Sequence, residues 1–96
     1  MAFVIAIHEI EDAAGFRRAT DPARSLPGGL RLHRVYPLVN GAKAVCLWEG
    51  KSADSVGDYV DGLVGDSNRA EFYEVDRVSA HGLPNDRSRD ADARVA

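Results

Sequence analysis

Residues 30–49 read Leu30-Arg31-Leu32-His33-Arg34-Val35-Tyr36-Pro37-Leu38-Val39-Asn40-Gly41-Ala42-Lys43-Ala44-Val45-Cys46-Leu47-Trp48-Glu49. Two runs that suit a pleated, half-buried surface flank one Asn-Gly dipeptide, which supplies the backbone of a tight hairpin turn. Leu30 to Leu38 predicts one strand, and Ala42 to Glu49 predicts the next. Asn40-Gly41 as a two-residue loop, a type I′ turn with positive φ at both residues, fixes the register, setting His33 opposite Trp48 and Val35 opposite Cys46. One face of the hairpin then carries His33, Val35, Pro37, Ala44, Cys46 and Trp48. The other carries Leu32, Arg34, Tyr36, Leu38, Lys43, Val45, Leu47 and Glu49.

Upstream, Ala2 to Ile10 predicts a buried strand, and Glu11 to Thr20 predicts a helix stopped by Asp21-Pro22. Downstream, Ser52 is the expected N-cap of a helix whose apolar stripe is Ala53, Val56, Val60, Leu63 and Val64. Gly65-Asp66-Ser67-Asn68 breaks it, and Glu71 to Val78 predicts a fourth strand. The order β-α-β-β-α-β predicts an α+β domain of ferredoxin-like arrangement: a four-stranded antiparallel sheet, strand order 4-1-3-2, with two helices on one face. The first and third strands are expected to run parallel. The helices are expected over Phe3, Ile5, Ile7, Leu32, Tyr36, Leu38, Val45 and Leu47. That leaves Val4, Ala6, Ile10, Val35, Cys46 and Trp48 as an apolar open face, too large to leave wet, so a homodimer through this face is expected.

A chain of 96 residues suits one domain, and 45% hydrophobic, 28% charged and 7% aromatic residues are ordinary globular values that argue against disorder and coiled coil. The longest apolar run, Ala2 to Ile7, is far shorter than a bilayer span and lacks the flanks of a secretion signal, so a cytoplasmic address is expected. The single cysteine, Cys46, excludes an internal disulfide framework and any zinc site of paired cysteines. A net charge of -3 gives no general attraction to nucleic acid or anionic membrane, and neither is expected as a partner. The domain is expected to span residues 1–82. Residues 83–96, where charges alternate from Asp86 to Arg94, are expected to form a poorly ordered polar tail.

The stretch Leu32-His33-Arg34-Val35-Tyr36, followed by Val45-Cys46-Leu47-Trp48-Glu49-Gly50-Lys51-Ser52-Ala53-Asp54-Ser55-Val56, resembles the dimeric α+β barrel superfamily. Within it, the match is nearest to small bacterial ferredoxin-like proteins that include nickel-binding members. Strand one lacks the Glu-Arg pair of the nickel-binding branch, so no metal is expected. The Trp-Glu-x-x-Ser piece is also similar to haem-degrading and antibiotic-biosynthesis monooxygenases, which implies a pocket with Trp48 and His8 at its wall. Ser52 to Val64 contains no histidine that could ligate haem, so no cofactor is expected.

The candidate site follows from the expected topology. Parallel pairing of strands one and three brings His8 to the end of the sheet that holds His33 and Trp48, and the small Ala6, Ala44 and Cys46 leave room below them. His8 is the expected acid-base group, with Glu74 as its carboxylate partner; His33, Trp48 and Cys46 are the expected ligand-binding residues. The function expected is a small homodimeric protein that binds an apolar or aromatic molecule, acting as a cofactor-free cyclase, isomerase or monooxygenase. The alternative is a noncatalytic metal-binding protein of nickel type, or an accessory protein. In the plainer reading of the same residues, His8 and His33 belong to the dimer interface and Trp48 to the core.

Overall fold

The computed structural model describes residues 1–21, 25–64 and 68–84. Its elements are β1 (Ala2–Ile10), α1 (Ala13–Ala19), β2 (Arg31–Pro37), β3 (Lys43–Gly50), α2 (Ala53–Val64) and β4 (Asn68–Glu74). The strands form one four-stranded sheet in the order β2-β3-β1-β4, and every neighbouring pair is antiparallel. The α+β class and the strand order agree with the sequence reading. The parallel pairing of β1 with β3 does not: Val4 lies opposite Trp48 and His8 opposite Ala44. Parallel β1 and β2, with β3 running back between them from the hairpin, make β3 antiparallel to both.

The hairpin turns about Asn40-Gly41 and keeps the expected pairing sum, but the ladder closes at Leu38 and Lys43, so the loop has four residues, 39–42, and not two. Gly41 N–H donates to the Leu38 carbonyl at 2.9 Å and Gly41 has φ +74, so the glycine supplies the left-handed residue that closes the loop. Leu38 N–H donates to the Lys43 carbonyl, and Pro37, Tyr36, Val35 and Arg34 pair in turn with Ala44, Val45, Cys46 and Leu47. Beyond Arg34 the register slips by one residue, and Leu32, not His33, faces Trp48. His33 is the extra residue of a β-bulge, the irregularity that re-aims a side chain at a sheet edge. Its ring sits 5.7 Å from that of Phe3, and its Nε2 lies 2.9 Å from Glu49 Oε1.

Both helices cover the face opposite to the one expected. The principal core joins Ala2, Val4, Ala6, Ala44, Cys46 and Trp48 of the sheet to Phe16 and Ala19 of α1 and to Val56 and Val60 of α2. The reason lies in the charges. The face bearing Phe3 and Leu47 also carries Glu9, Arg34, Lys43, Glu49 and Glu71, and a helix laid over it would take these charges out of water. On the covered face the corresponding positions are small or apolar, which lets α2 approach. A side-chain carbon built at Gly57 would stand 3.2 Å from Phe72 of β4.

Local caps set the helix ends. Asp12 accepts from Gly15 N–H at 3.0 Å and starts α1, while Ser52 Oγ accepts from Ser55 N–H at 3.0 Å and starts α2, as its sequence predicts. Asn68, buried at the start of β4, accepts from the backbone N–H groups of Glu11 and Asp12 and donates to the Asp12 carbonyl. It staples the β1–α1 corner to β4.

The fourth strand begins earlier and ends earlier than expected, at Glu74 instead of Val78. Val75 N–H still donates to the Phe3 carbonyl, after which Val78 N–H and Ala80 N–H bond back to Asp76. The segment returns over the open face: Arg77 lies over the Phe3 ring at 5.0 Å, and Leu83 is buried with Phe3 and Leu47. Leu83 therefore packs as part of the domain, one residue beyond its expected end. The remainder of the expected tail, residues 85–96, and most of the helix break at 65–67 lie outside the described residues.

Candidate functional site

His8 stands on β1 between Ala44 of β3 and Ala70 of β4, beneath α1. It is fully buried, and its ring meets Phe16 edge-on with centroids 4.9 Å apart. Neither ring nitrogen has a hydrogen-bond partner among the described residues. Burial among apolar groups takes the imidazole from 6.5 down to about 4, so it is neutral at pH 7. Such a ring offers one donor and one acceptor. Trp48 is also fully buried, with its Nε1–H unpartnered.

The structure does not gather the expected site. His8 and Trp48 share the helix-covered face, but the antiparallel register separates them by four residues, about 13 Å along the strand. His33, the extra residue of the bulge, contacts Phe3 and Glu49 on the opposite face, and at the sheet edge it also lines a hollow between α1 and β2. Glu74 lies opposite Val4, at the far end from His8 and exposed, and the residue beside His8 on β4 is Ala70. Glu71 points to the other face beside Ile7, where it accepts a short hydrogen bond from the Tyr73 hydroxyl; that bond and the Glu71 charge raise the Tyr73 pKa. Cys46 is buried between Ala6 and Val35, and burial pushes its thiol up to about 12. A thiol held that high is a packed hydrophobe and no nucleophile. Among the described residues, no three His, Cys, Asp or Glu side chains come together as a metal would need, and no helix is long and apolar enough to cross a membrane.

The cavity lies elsewhere. Between α1, Leu26 and the edge strand β2 is a half-open hollow of about 840 Å³, lined by Ile10, Phe16, Leu26, Leu32 and Val35 together with the polar Arg17, Thr20, Asp21 and His33. It exists because α1 has only seven residues and leaves the edge strand bare. The stop before Asp21-Pro22 was legible, but the expected helix, Glu11 to Thr20, is longer than the observed Ala13–Ala19. His8 is one layer behind the cavity wall, for Phe16 touches the imidazole and lines the hollow as well. Trp48 stands similarly behind Leu32.

No protein-family model, curated protein or solved structure matches this chain. The geometry of the chain itself therefore carries the functional argument.

Proposed function

We propose that the chain is a ferredoxin-like subunit that binds a small apolar molecule in the cavity between α1 and β2, and that two copies associate through the open sheet face. The observation that carries the ligand reading is the hollow itself. Its volume of about 840 Å³ falls within the range of small-molecule sites, and its lining is mostly aliphatic and aromatic, with Arg17, Thr20, Asp21 and His33 as the polar groups. The dimer reading rests on the opposite face, where Ile5, Ile7, Val45 and Leu47 form a central strip beside the returning C-terminal segment. Tyr73 and Glu71 border that strip on the β4 side, and Tyr36 and Arg34 on the β2 side. A two-fold axis along the strands sets the β4 edge of one copy, with Glu71 and Arg69, against the β2 edge of the other, with Arg34. An apolar centre with a polar, tyrosine-rich rim is the usual anatomy of a protein interface.

Titration with 8-anilinonaphthalene-1-sulfonate tests the cavity. One probe should bind per chain with a rise in fluorescence, and Val35→Arg, which sets a charge on the cavity floor, should abolish that rise while leaving the far-ultraviolet circular dichroism unchanged. A native protein that gives no rise, or a variant that binds as well as the parent, removes the cavity reading.

A further inference from the structure

We propose that the cavity takes a flat aromatic or enolic molecule bearing a hydroxyl group, and that this hydroxyl takes the place of the Phe16 ring edge against the His8 imidazole. The inference rests on the reading of the hollow as a ligand site and adds the class of ligand.

His8 is fully buried with both ring nitrogens unpartnered, whereas almost every buried polar group in a native protein is bonded. Its cross-strand neighbours, Ala44 and Ala70, and Ala6 two residues before it on β1 have no side-chain polar atom to offer. The one aromatic contact it makes is with Phe16, whose ring also forms part of the cavity wall. A turn of that side chain about its own bonds opens the wall at His8, and a second ring can then keep the edge contact that Phe16 gives up.

The chemistry of the wall restricts what enters. Arg17, Thr20, Asp21 and His33 are the polar groups of the lining, but beside His8 the cross-strand neighbours are Ala44 and Ala70, so a carboxylate or ammonium brought up to the imidazole would lose its hydration without a counter-charge there. A purely hydrocarbon ligand would leave the imidazole as unsatisfied as it now is. A hydroxyl both donates and accepts, so it bonds a neutral imidazole in either tautomer. Planarity follows from the site it inherits, a slot occupied by a phenyl ring.

Two probes of equal ring size separate the possibilities, naphthalene and 1-naphthol, each titrated by calorimetry against the whole chain, its His8→Phe variant and its Phe16→Ala variant. We expect 1-naphthol to bind the parent roughly five- to tenfold more tightly than naphthalene, the effect of one added hydrogen bond. His8→Phe should erase that preference and leave naphthalene binding in place, and Phe16→Ala should retain it. In ¹⁵N spectra of the parent protein, 1-naphthol should shift the His8 ring nitrogens and naphthalene should not, a result that needs no variant to fold. If both probes bind and their ratio is the same in His8→Phe, or if the His8 nitrogens do not respond, the inference is overturned and the cavity reading stands. If neither probe binds, the cavity reading fails and the inference falls with it.

Discussion

His8 places a titratable ring where no water reaches it, and its stability consequence has a definite sign. In the unfolded chain the ring takes a proton near pH 6.5, while in the folded chain burial defers protonation to about pH 4. Between those values the unfolded state binds more protons, so stability present above pH 6.5 is lost as pH falls toward 4. The slope approaches about 1.4 kcal/mol per pH unit in the middle of that window. Urea denaturation at pH 7, 5.5 and 4.5 should show the parent losing more stability than His8→Leu, the difference levelling off below pH 4. Equal slopes would mean that the ring is protonated while folded. At Cys46 the expectation is chemical: with its thiol pushed up to about 12 and no exposed surface, it should resist a disulfide reagent at pH 8 and react fully once urea is added. Rapid reaction of the native protein would contradict its placement in the core.

At the scale of elements, the corner that joins β1, α1 and β4 depends on one side chain. Asn68 Oδ1 accepts from two backbone N–H groups and its Nδ2 donates to the Asp12 carbonyl, in a position with little access to water. Asn68→Ala leaves those groups unpaired and should cost about 2–3 kcal/mol, read as a lower urea midpoint with unchanged m-value. Asn68→Asp should recover part of the loss, because a carboxylate keeps the two acceptor contacts but not the donor. The hairpin is the second element with a local lesson. Asn40-Gly41 placed the turn correctly, and the register holds from Leu38 to Arg34; the bulge at His33 then displaces the remaining pairs. Turn chemistry specifies register only as far as the ladder runs unbroken, and nothing in Leu32-His33-Arg34 marks the slip. Gly41→Ala, at φ +74, should destabilise by about 1 kcal/mol.

For the whole molecule, the question is which sheet face meets water. The proposed interface lies on the face with Ile7, Tyr36 and Tyr73, all exposed in the single chain, and the returning segment up to Leu83 already covers the Phe3 end of it. Sedimentation velocity should show a dimer for the parent and a monomer for Ile7→Arg, with both equally helical by circular dichroism. A parent that sediments as a monomer at high concentration would remove the dimer. A dimer unaffected by Ile7→Arg would move the interface elsewhere.

The sequence alone determined the six elements, the antiparallel hairpin and the Ser52 cap, because each depends on residues close in the chain: alternation, turn residues and caps act over a few positions. The strand order came from matching the element order to a known arrangement. The sequence did not determine which face the helices choose. The β1 run Phe3-Val4-Ile5-Ala6-Ile7 is apolar on both sides, so its pattern cannot tell core from surface. The charges at Arg34, Lys43 and Glu49 held that information, since the hairpin pattern already set them on the face of Leu47; the structure adds Glu9 and Glu71 beside them. The site followed the same rule. His8 and Trp48 were visible as unusual residues, yet their separation and the cavity beside Phe16 depend on strand direction, a one-residue bulge and a helix two turns long. These are properties of packing between distant segments, and only the tertiary structure decides them.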